Sequence, residues 1–119
     1  QYTDGVVYTA SARVEESNKN KEFKDAYTAR WGIGPDSFAT NAYDATYILV
    51  SVIEKVGTDR KAIKTGMEQV KDFEGVNGII NFAPNGDLVA YQGIYEVHGT
   101  TPEYLGAFAV EDGKLVQVQ

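Results

Sequence analysis

The chain has 119 residues, of which 43% are hydrophobic, and this is enough to form one core. It has no cysteine and a single histidine, so a disulfide framework and a thiolate metal site are excluded and no metal site is expected. Eleven basic and seventeen acidic residues give a formal net charge of -6, which opposes binding to nucleic acid or to an anionic membrane. No apolar run approaches the roughly 20 residues that a membrane-spanning helix needs.

A short strand is predicted at residues 6–9, where two valines, a tyrosine and a threonine follow one another. An amphipathic helix comes next, with Ser17 or Asn18 as its N-cap. Gly32 and Gly34 before Pro35 end this helix. Its apolar residues recur at helical spacing and are Phe23, Ala26, Tyr27 and Trp31.

The second predicted helix is the most apolar stretch of the chain. Asp36 or Ser37 caps it, and it extends to about Val56 with Gly57 after its end. Its apolar residues cover well over one face, so we expect the helix to be buried on several sides. They are Phe38, Ala39, Ala42, Tyr43, Ala45, Ile48, Leu49, Val52, Ile53 and Val56.

A third helix is predicted after Thr58 or Asp59, either of which can serve as its N-cap. Gly66 lies inside this helix and weakens it by about 1 kcal/mol relative to alanine. Its apolar residues repeat every three or four positions before Gly75 and are Ala62, Ile63, Met67 and Val70.

Beyond Gly75 the apolar period changes to two, which is typical of strands. Asn85-Gly86 and Asp112-Gly113 are dipeptides that favour tight hairpin turns. Gly93 is interpreted as a bulge or as a point where another part of the chain approaches closely. Strands are predicted at residues 79–82, 88–98, 105–110 and 114–118.

The predicted element order is one strand, three helices and four strands joined largely by hairpins. A parallel doubly wound sheet alternates strands with helices, whereas here three helices follow one another with no strand between them. This order is unusual for a self-contained fold.

Motifs for catalysis and nucleotide binding are missing from the sequence. It contains neither a Walker sequence nor a full dinucleotide fingerprint, and Gly32 and Gly34 end a helix instead of following a strand. A nucleophilic hydrolase needs a histidine base, and His98 at a strand end is interpreted as an ordinary surface histidine. We therefore expect neither an enzyme nor a bound cofactor.

Asp44 interrupts the apolar sequence near the start of the second helix. A buried carboxylate needs hydrogen-bond donors, which are either backbone N–H groups of a neighbouring segment or groups of a ligand. The adjacent Tyr43 is either a core tyrosine whose hydroxyl finds a partner or part of a ligand cleft. Of the eight tyrosines in the chain, we expect one or two to line such a cleft.

Four segments of the sequence match one known family in their order and approximate spacing. They are residues 4–8, residues 21–23 with Tyr27 and Trp31-Gly32, residues 42–45, and residues 75–82 followed by Asn85-Gly86-Asp87. Together they resemble the periplasmic solute-binding proteins of type I, in particular the leucine/isoleucine/valine receptors. The match departs from the family at Trp31, where the usual residue before glycine is tyrosine, and at Ala83, where the family often has an acidic residue.

The resemblance implies the C-terminal third of a protein with two α/β lobes that close over a small solute. Residues 1–74 would then hold a crossing strand and the helices of one lobe, and residues 75–119 would return to the other lobe. The family's role is to deliver an amino acid or a related small carboxylate to the membrane subunits of an ABC importer. Its members are periplasmic or extracellular, some as membrane-anchored lipoproteins.

By the same analogy, Tyr8, Tyr43 and Asp44 lie nearest the ligand cleft, although the family's main contacts to the solute come from residues outside this chain. Two alternatives to a transport role remain at this point, a ligand-sensing domain of a receptor and a non-catalytic interaction module that pairs through sheet edges. The exposed apolar faces of such a portion also predict self-association.

Overall fold

The structure, a computed structural model, describes residues 3–12, 17–89, 91–111 and 114–118. The chain divides into two units, one formed by residues 1–13 with 90–119 and the other by residues 14–89. The change of lobe near residue 75 stays a prediction.

The unit of residues 14–89 contains three helices, α1 (Asn18–Trp31), α2 (Ser37–Val56) and α3 (Arg60–Glu68). Each begins after a side chain that accepts a hydrogen bond from a backbone N–H of the first turn, and these caps are Ser17, Asp36 and Asp59. Gly32 and Gly57 follow α1 and α2 with φ angles of 74° and 79°, which confirms the predicted ends of both helices. α3 ends at Glu68, whereas the apolar pattern from which this helix was predicted continues to Val70.

One face of α2 is buried, and it consists of every fourth residue: Thr40, Asp44, Ile48 and Val52. The prediction that this helix is buried on several sides is wrong. Phe38 is 81% exposed and Leu49 is 42% exposed, although both belong to its apolar pattern. Among the described residues of this unit, the segments packed on α2 cover only part of an apolar surface that extends around the helix.

α3 packs against α2 at Gly66. A Cβ atom built on Gly66 would lie 2.6 Å from Cγ1 of Val52 and 3.5 Å from Cγ1 of Val56. The missing side chain therefore lets the two helices approach closely, and this packing offsets the cost of a glycine inside a helix.

Two short strands, β2 (Phe73–Gly75) and β3 (Gly78–Ile80), form an antiparallel hairpin in the same unit. The predicted strand at 79–82 is therefore shorter and begins earlier, and β2 was not predicted. Asn77-Gly78, with a φ of 96° at Gly78, is the same Asn-Gly signal that predicts a turn at Asn85-Gly86. That second turn forms as well, with an isolated bridge between Phe82 and Leu88.

The unit of residues 1–13 and 90–119 contains an antiparallel sheet of four strands. They are β1 (Val7–Ser11), β4 (Gln92–His98), β5 (Thr101–Glu111) and β6 (Lys114–Gln117), and they pair in this order. The predicted strand at 88–98 is wrong in its first residues, because a continuous ladder with β1 and β5 starts only at Gln92. β5 begins before the predicted residue 105, because a turn at Gly99, with a φ of 68°, joins it directly to β4. The predicted turn at Asp112-Gly113 lies outside the described residues.

Gly93 is buried in β4 at a point of close approach, as the sequence predicts. A Cβ atom there would lie 2.8 Å from the ring of Tyr95 and 3.0 Å from the ring of Tyr104. The register between β4 and β5 shifts between Ile94 and Tyr95, directly after this glycine. The absent side chain leaves room for two aromatic rings over one face of the sheet.

We expect Gly66→Ala to destabilise the protein by about 1–2 kcal/mol, because the new methyl group overlaps Val52 in spite of the better helix propensity of alanine. Urea unfolding monitored by circular dichroism measures the change. In a Val52→Ala background the overlap is relieved, and the same substitution should be neutral or stabilising. A stabilising effect of Gly66→Ala in the original chain would contradict the close packing.

Candidate functional site

Asp44 is 3% exposed and lies on the buried face of α2. Its Oδ1 accepts a hydrogen bond from the N–H of Val76 at 2.7 Å, and its Oδ2 accepts one from the N–H of Asn77 at 3.0 Å. The carboxylate therefore holds the turn between β2 and β3. This is one of the two roles considered for Asp44 from the sequence, and contact with a solute stays a prediction.

The turn at Val76 and Asn77 is held by α1 as well as by α2. The side-chain amide of Asn20 donates to the carbonyl of Val76 at 2.7 Å, and the side-chain amide of Asn77 donates to Oδ1 of Asn41 at 2.9 Å. Lys19 donates to the carbonyl of Glu74 in the adjoining strand. Val76 itself is fully buried, so its apolar side chain and the surrounding hydrogen bonds anchor the turn together.

Gly75 makes this arrangement sterically feasible. A Cβ atom on Gly75 would lie 2.5 Å from Oδ2 of Asp44 and 2.8 Å from Cδ1 of Ile80. From the sequence, Gly75 was interpreted as the end of a helical pattern and as the start of a segment that resembles the family. Its role as the contact surface for a buried carboxylate becomes visible only when residues 44 and 75 are brought together.

Tyr43 lies in a row of aromatic rings between α1 and α2. Its ring centroid is 4.6 Å from that of Phe23 and 4.6 Å from that of Tyr47, and the rings are tilted against each other. The pKa of Tyr43 is raised above its ordinary value, chiefly because a side-chain hydrogen bond with Tyr47 favours the neutral phenol. Partial burial and the nearby acidic groups of Tyr47, Asp44 and Glu22 raise it further.

Tyr8 belongs to the other unit, in the sheet. Its ring stacks on that of Tyr95 in the neighbouring strand, with 5.2 Å between centroids and 13° between planes, and Tyr95 in turn contacts Tyr104 at 5.1 Å. Tyr8 is 37% exposed, so part of its ring remains accessible at the end of this stack. The stack fixes the orientation of Tyr8 and leaves it able to contact another molecule.

The three residues selected from the sequence thus occupy three different environments. Tyr43 and Asp44 are neighbours on α2, but Tyr43 faces the aromatic row and Asp44 faces the hairpin turn. Tyr8 lies in the sheet unit. The residues that sequence analysis missed are Asn20, Val76 and Asn77, and the only local signal for them is the Asn77-Gly78 pair.

Within the part of the chain that the structure describes, no group of three or more histidine, cysteine, aspartate or glutamate side chains is placed to hold a metal ion. His98 lies 3.1 Å from Oε2 of Glu103 and 3.9 Å from Oε2 of Glu96, at an exposed end of the sheet. None of the described helices is long and apolar enough to cross a membrane.

The sequence pattern of the periplasmic binding proteins matches residues 1–100, so the chain belongs to this family. Among curated proteins, it is 30% identical over 88 residues to the Leu/Ile/Val-binding protein BraC3 of Rhizobium johnstonii. That match covers 72% of this chain and 24% of the relative, so the chain spans about a quarter of that protein's length.

Solved structures of type I periplasmic binding proteins show the same fold, which confirms the α/β class predicted from the sequence. The leucine-binding protein LivK of Thermotoga maritima superimposes with a TM-score of 0.73 at 25% identity, over 88% of this chain and 31% of that one. The substrate-binding protein LivJ of Streptococcus pneumoniae, in complex with isoleucine, gives a TM-score of 0.69 at 26% identity over 97% and 31%. A solute-binding protein of R. palustris in complex with benzoate has a TM-score of 0.69 over 88% and 30%, and at 24% identity it supports the fold alone.

We expect Asp44→Asn to lower the free energy of unfolding by about 2–3 kcal/mol, since an amide in place of the carboxylate leaves one buried N–H of the turn without an acceptor. Urea unfolding measures the loss, and Asp25→Asn, a matched change at an exposed position of α1, should have an effect below about 0.5 kcal/mol. Equal stabilities of the two variants would contradict the role of Asp44 in holding the turn.

We expect the pKa of Tyr43 to lie above the ordinary value of a tyrosine, and Tyr47→Phe to lower it toward that value by removing the hydrogen bond. Because the folded-state pKa is the higher one, the associated stability is complete below about pH 10 and is lost as the pH rises through the folded pKa. NMR of the tyrosine rings against pH measures this, with Tyr27→Phe as the control. An unchanged Tyr43 pKa in Tyr47→Phe would exclude the hydrogen bond as the main cause.

Proposed function

We propose that this chain is part of a solute-binding protein that captures a branched-chain amino acid or a related small carboxylate for an ABC importer. The observation that carries the proposal is the family match over residues 1–100, together with relatives named for leucine, isoleucine and valine. The family binds solutes rather than converting them, so we propose binding without catalysis and without a cofactor.

Tyr8 and Tyr43 are the residues we propose for contact with the solute. Each combines an apolar ring with a hydroxyl, and each is held by neighbouring rings, so little side-chain entropy is lost on binding. Tyr43 is half-buried and Tyr8 is 37% exposed, which leaves part of each ring accessible.

Asp44 enters the proposal in a different way. Both of its oxygens accept hydrogen bonds from the Val76–Asn77 turn and the residue is 3% exposed, so a solute would have to compete with two backbone donors. We propose that it positions the start of α2, and with it Tyr43, and that any contact with the solute is secondary.

The location and the partner of the protein follow from the family role. We propose a periplasmic or extracellular protein, in soluble or lipid-anchored form, that docks on the membrane subunits of an importer. A chain with a net charge of -6 has no electrostatic attraction to nucleic acid, which agrees with this assignment.

A chimera tests the proposal. The segment of BraC3 that matches this chain is replaced by the corresponding residues of this chain, and binding of leucine, isoleucine, valine and benzoate is measured by calorimetry. We expect at least one of these solutes to bind with a dissociation constant within about tenfold of that of BraC3, a change of roughly 1.4 kcal/mol. A chimera that folds, as judged by circular dichroism, but binds none of the four would contradict the proposal.

Tyrosine variants of the same chimera test the two residues. Tyr8→Ala and Tyr43→Ala should each weaken binding about tenfold, because each removes apolar contact area from the solute. Tyr91→Ala is the matched control, since Tyr91 is 49% exposed and has no place in the proposed site. If all three variants bind alike, Tyr8 and Tyr43 do not contact the solute.

A further inference from the structure

Three tyrosines lie side by side across the sheet of residues 1–13 and 90–119. Each belongs to a different strand, because Tyr95 of β4 is the ladder partner of Tyr8 in β1 and of Tyr104 in β5. Residues that are paired directly across a ladder share one face of the sheet, so the three rings lie on the same side. We call these residues the tyrosine row, and its members are Tyr8, Tyr95 and Tyr104.

The rings of the tyrosine row are in continuous contact. Tyr8 and Tyr95 are almost parallel, with 13° between their planes and 5.2 Å between their centroids, which is a stacked arrangement that aromatic pairs favour. The ring of Tyr95 is tilted by 54° against that of Tyr104, with 5.1 Å between centroids. Tyr95 thus lies between two rings, and Tyr8 forms the end of the tyrosine row in β1.

A second row, made of small residues, gives the rings their space. Gly93, two residues before Tyr95 in β4, is paired with Ala10 in β1 and with Ala107 in β5. A Cβ atom on Gly93 would lie 2.8 Å from Cε2 of Tyr95 and 3.0 Å from Cε2 of Tyr104. Both rings therefore lean along the strands over Gly93, and a side chain at this position would displace them.

A bulge in β5 brings Tyr104 into the tyrosine row. The ladder pairs Ile94 with Gly106. The next residue of β4 is Tyr95, and it is paired with Tyr104, two positions back along β5, so Leu105 is the extra residue of the bulge. In a regular ladder Leu105 would face Tyr95, and Tyr104 would point to the other side of the sheet. The irregular register thus places a ring beside Tyr95 where regular pairing would place leucine.

We propose that Tyr95, supported by Tyr104, is a positioning residue that holds Tyr8 in the orientation in which it contacts the solute. The proposal rests on the proposed function, in which Tyr8 touches the solute, and it gives a part in affinity to two residues that do not. A side chain that is already held in its bound orientation loses little rotamer freedom on binding. For one side chain this saving corresponds to roughly two- to tenfold in affinity.

The positioning role differs from a contribution to stability in one measurable respect. Aromatic residues paired across strands stabilise a sheet, and that contribution acts whatever residue stands at position 8. Positioning acts only through the ring of Tyr8. A change at Tyr95 that affects the solute through Tyr8 must therefore lose its effect once that ring is removed.

A double-mutant cycle in the chimera of BraC3 with this chain tests the proposal, with calorimetry of the tightest-binding solute among leucine, isoleucine, valine and benzoate. Tyr95→Leu should weaken binding about fivefold, since the ring that orients Tyr8 is lost. In the Tyr8→Ala background the same substitution should change the affinity less than about twofold. Tyr95→Phe keeps the ring and should restore most of the affinity. Tyr91→Leu, a matched control directly before β4 and outside the tyrosine row, should bind like the original chimera.

NMR of the tyrosine rings in the full chain measures the orientation of Tyr8 without a solute. Ring-current shifts from Tyr95 should displace the resonances of Tyr8, and Tyr95→Leu should move them toward the values of a freely rotating tyrosine. Gly93→Ala displaces the ring of Tyr95 without removing it, so it should move the same resonances in smaller measure. Circular dichroism of each variant confirms that the fold persists.

The positioning role and the proposed function fail in different ways. A chimera that binds none of the four solutes contradicts the proposed function, and the positioning role falls with it. Binding that is weakened by Tyr8→Ala but not by Tyr95→Leu overturns the positioning role alone, as does equal weakening by Tyr95→Leu with and without the ring of Tyr8. Unchanged Tyr8 resonances in Tyr95→Leu overturn it whether or not a solute binds. Weakening by Tyr95→Leu, its absence in the Tyr8→Ala background and recovery in Tyr95→Phe together support it.

Discussion

The packing of the helical unit depends on one buried carboxylate. Asp44 is almost inaccessible to solvent, and a buried charge is stable only where hydrogen bonds replace its water. The two N–H groups of the Val76–Asn77 turn supply those bonds, so the position of the turn and the position of α2 are fixed together. Asn20 adds a bond from α1 to the same turn, which ties the third segment to the first two.

This constraint explains why the two faces of α2 differ in polarity. Its inward face mixes apolar and polar groups, with Ile48 and Val52 in contact with the core and Asp44 in contact with the turn. Its outward face is almost purely apolar and yet exposed. The polar group lies inside because it has defined hydrogen-bond partners there, and the described residues cover the outer apolar side chains only in part. A helix of this composition is expected to be covered on more than one side, and the second cover must come from another chain or from another part of a longer one.

Tyr8 and Tyr43 illustrate two ways of orienting an aromatic side chain. Tyr8 is fixed by strand pairing, since its backbone partner in the ladder, Tyr95, also supplies the ring on which it stacks. Tyr43 is fixed by helix packing, between a ring from α1 and a ring one turn further along α2. In both cases the neighbouring rings restrict the orientation of the tyrosine ring.

The helices, the approximate positions of their N-caps and the family could be predicted from the sequence, because each depends on residues that lie close together along the chain. A capping bond joins residues two or three positions apart, so the sequence narrows each N-cap to two adjacent residues, and the structure shows that the caps are Ser17, Asp36 and Asp59. Strands depend on partners far along the chain: β4 exists where it pairs with β1, more than eighty residues earlier, and its start at Gln92 could not be read from residues 88–98. The same holds for Asp44, whose need for donors is evident in the sequence and whose donors, 32 and 33 residues away, are chosen by the tertiary structure. Exposure of the outer face of α2 was likewise decided by tertiary packing, because periodicity shows that a face is apolar and only the packed neighbours determine whether it is covered.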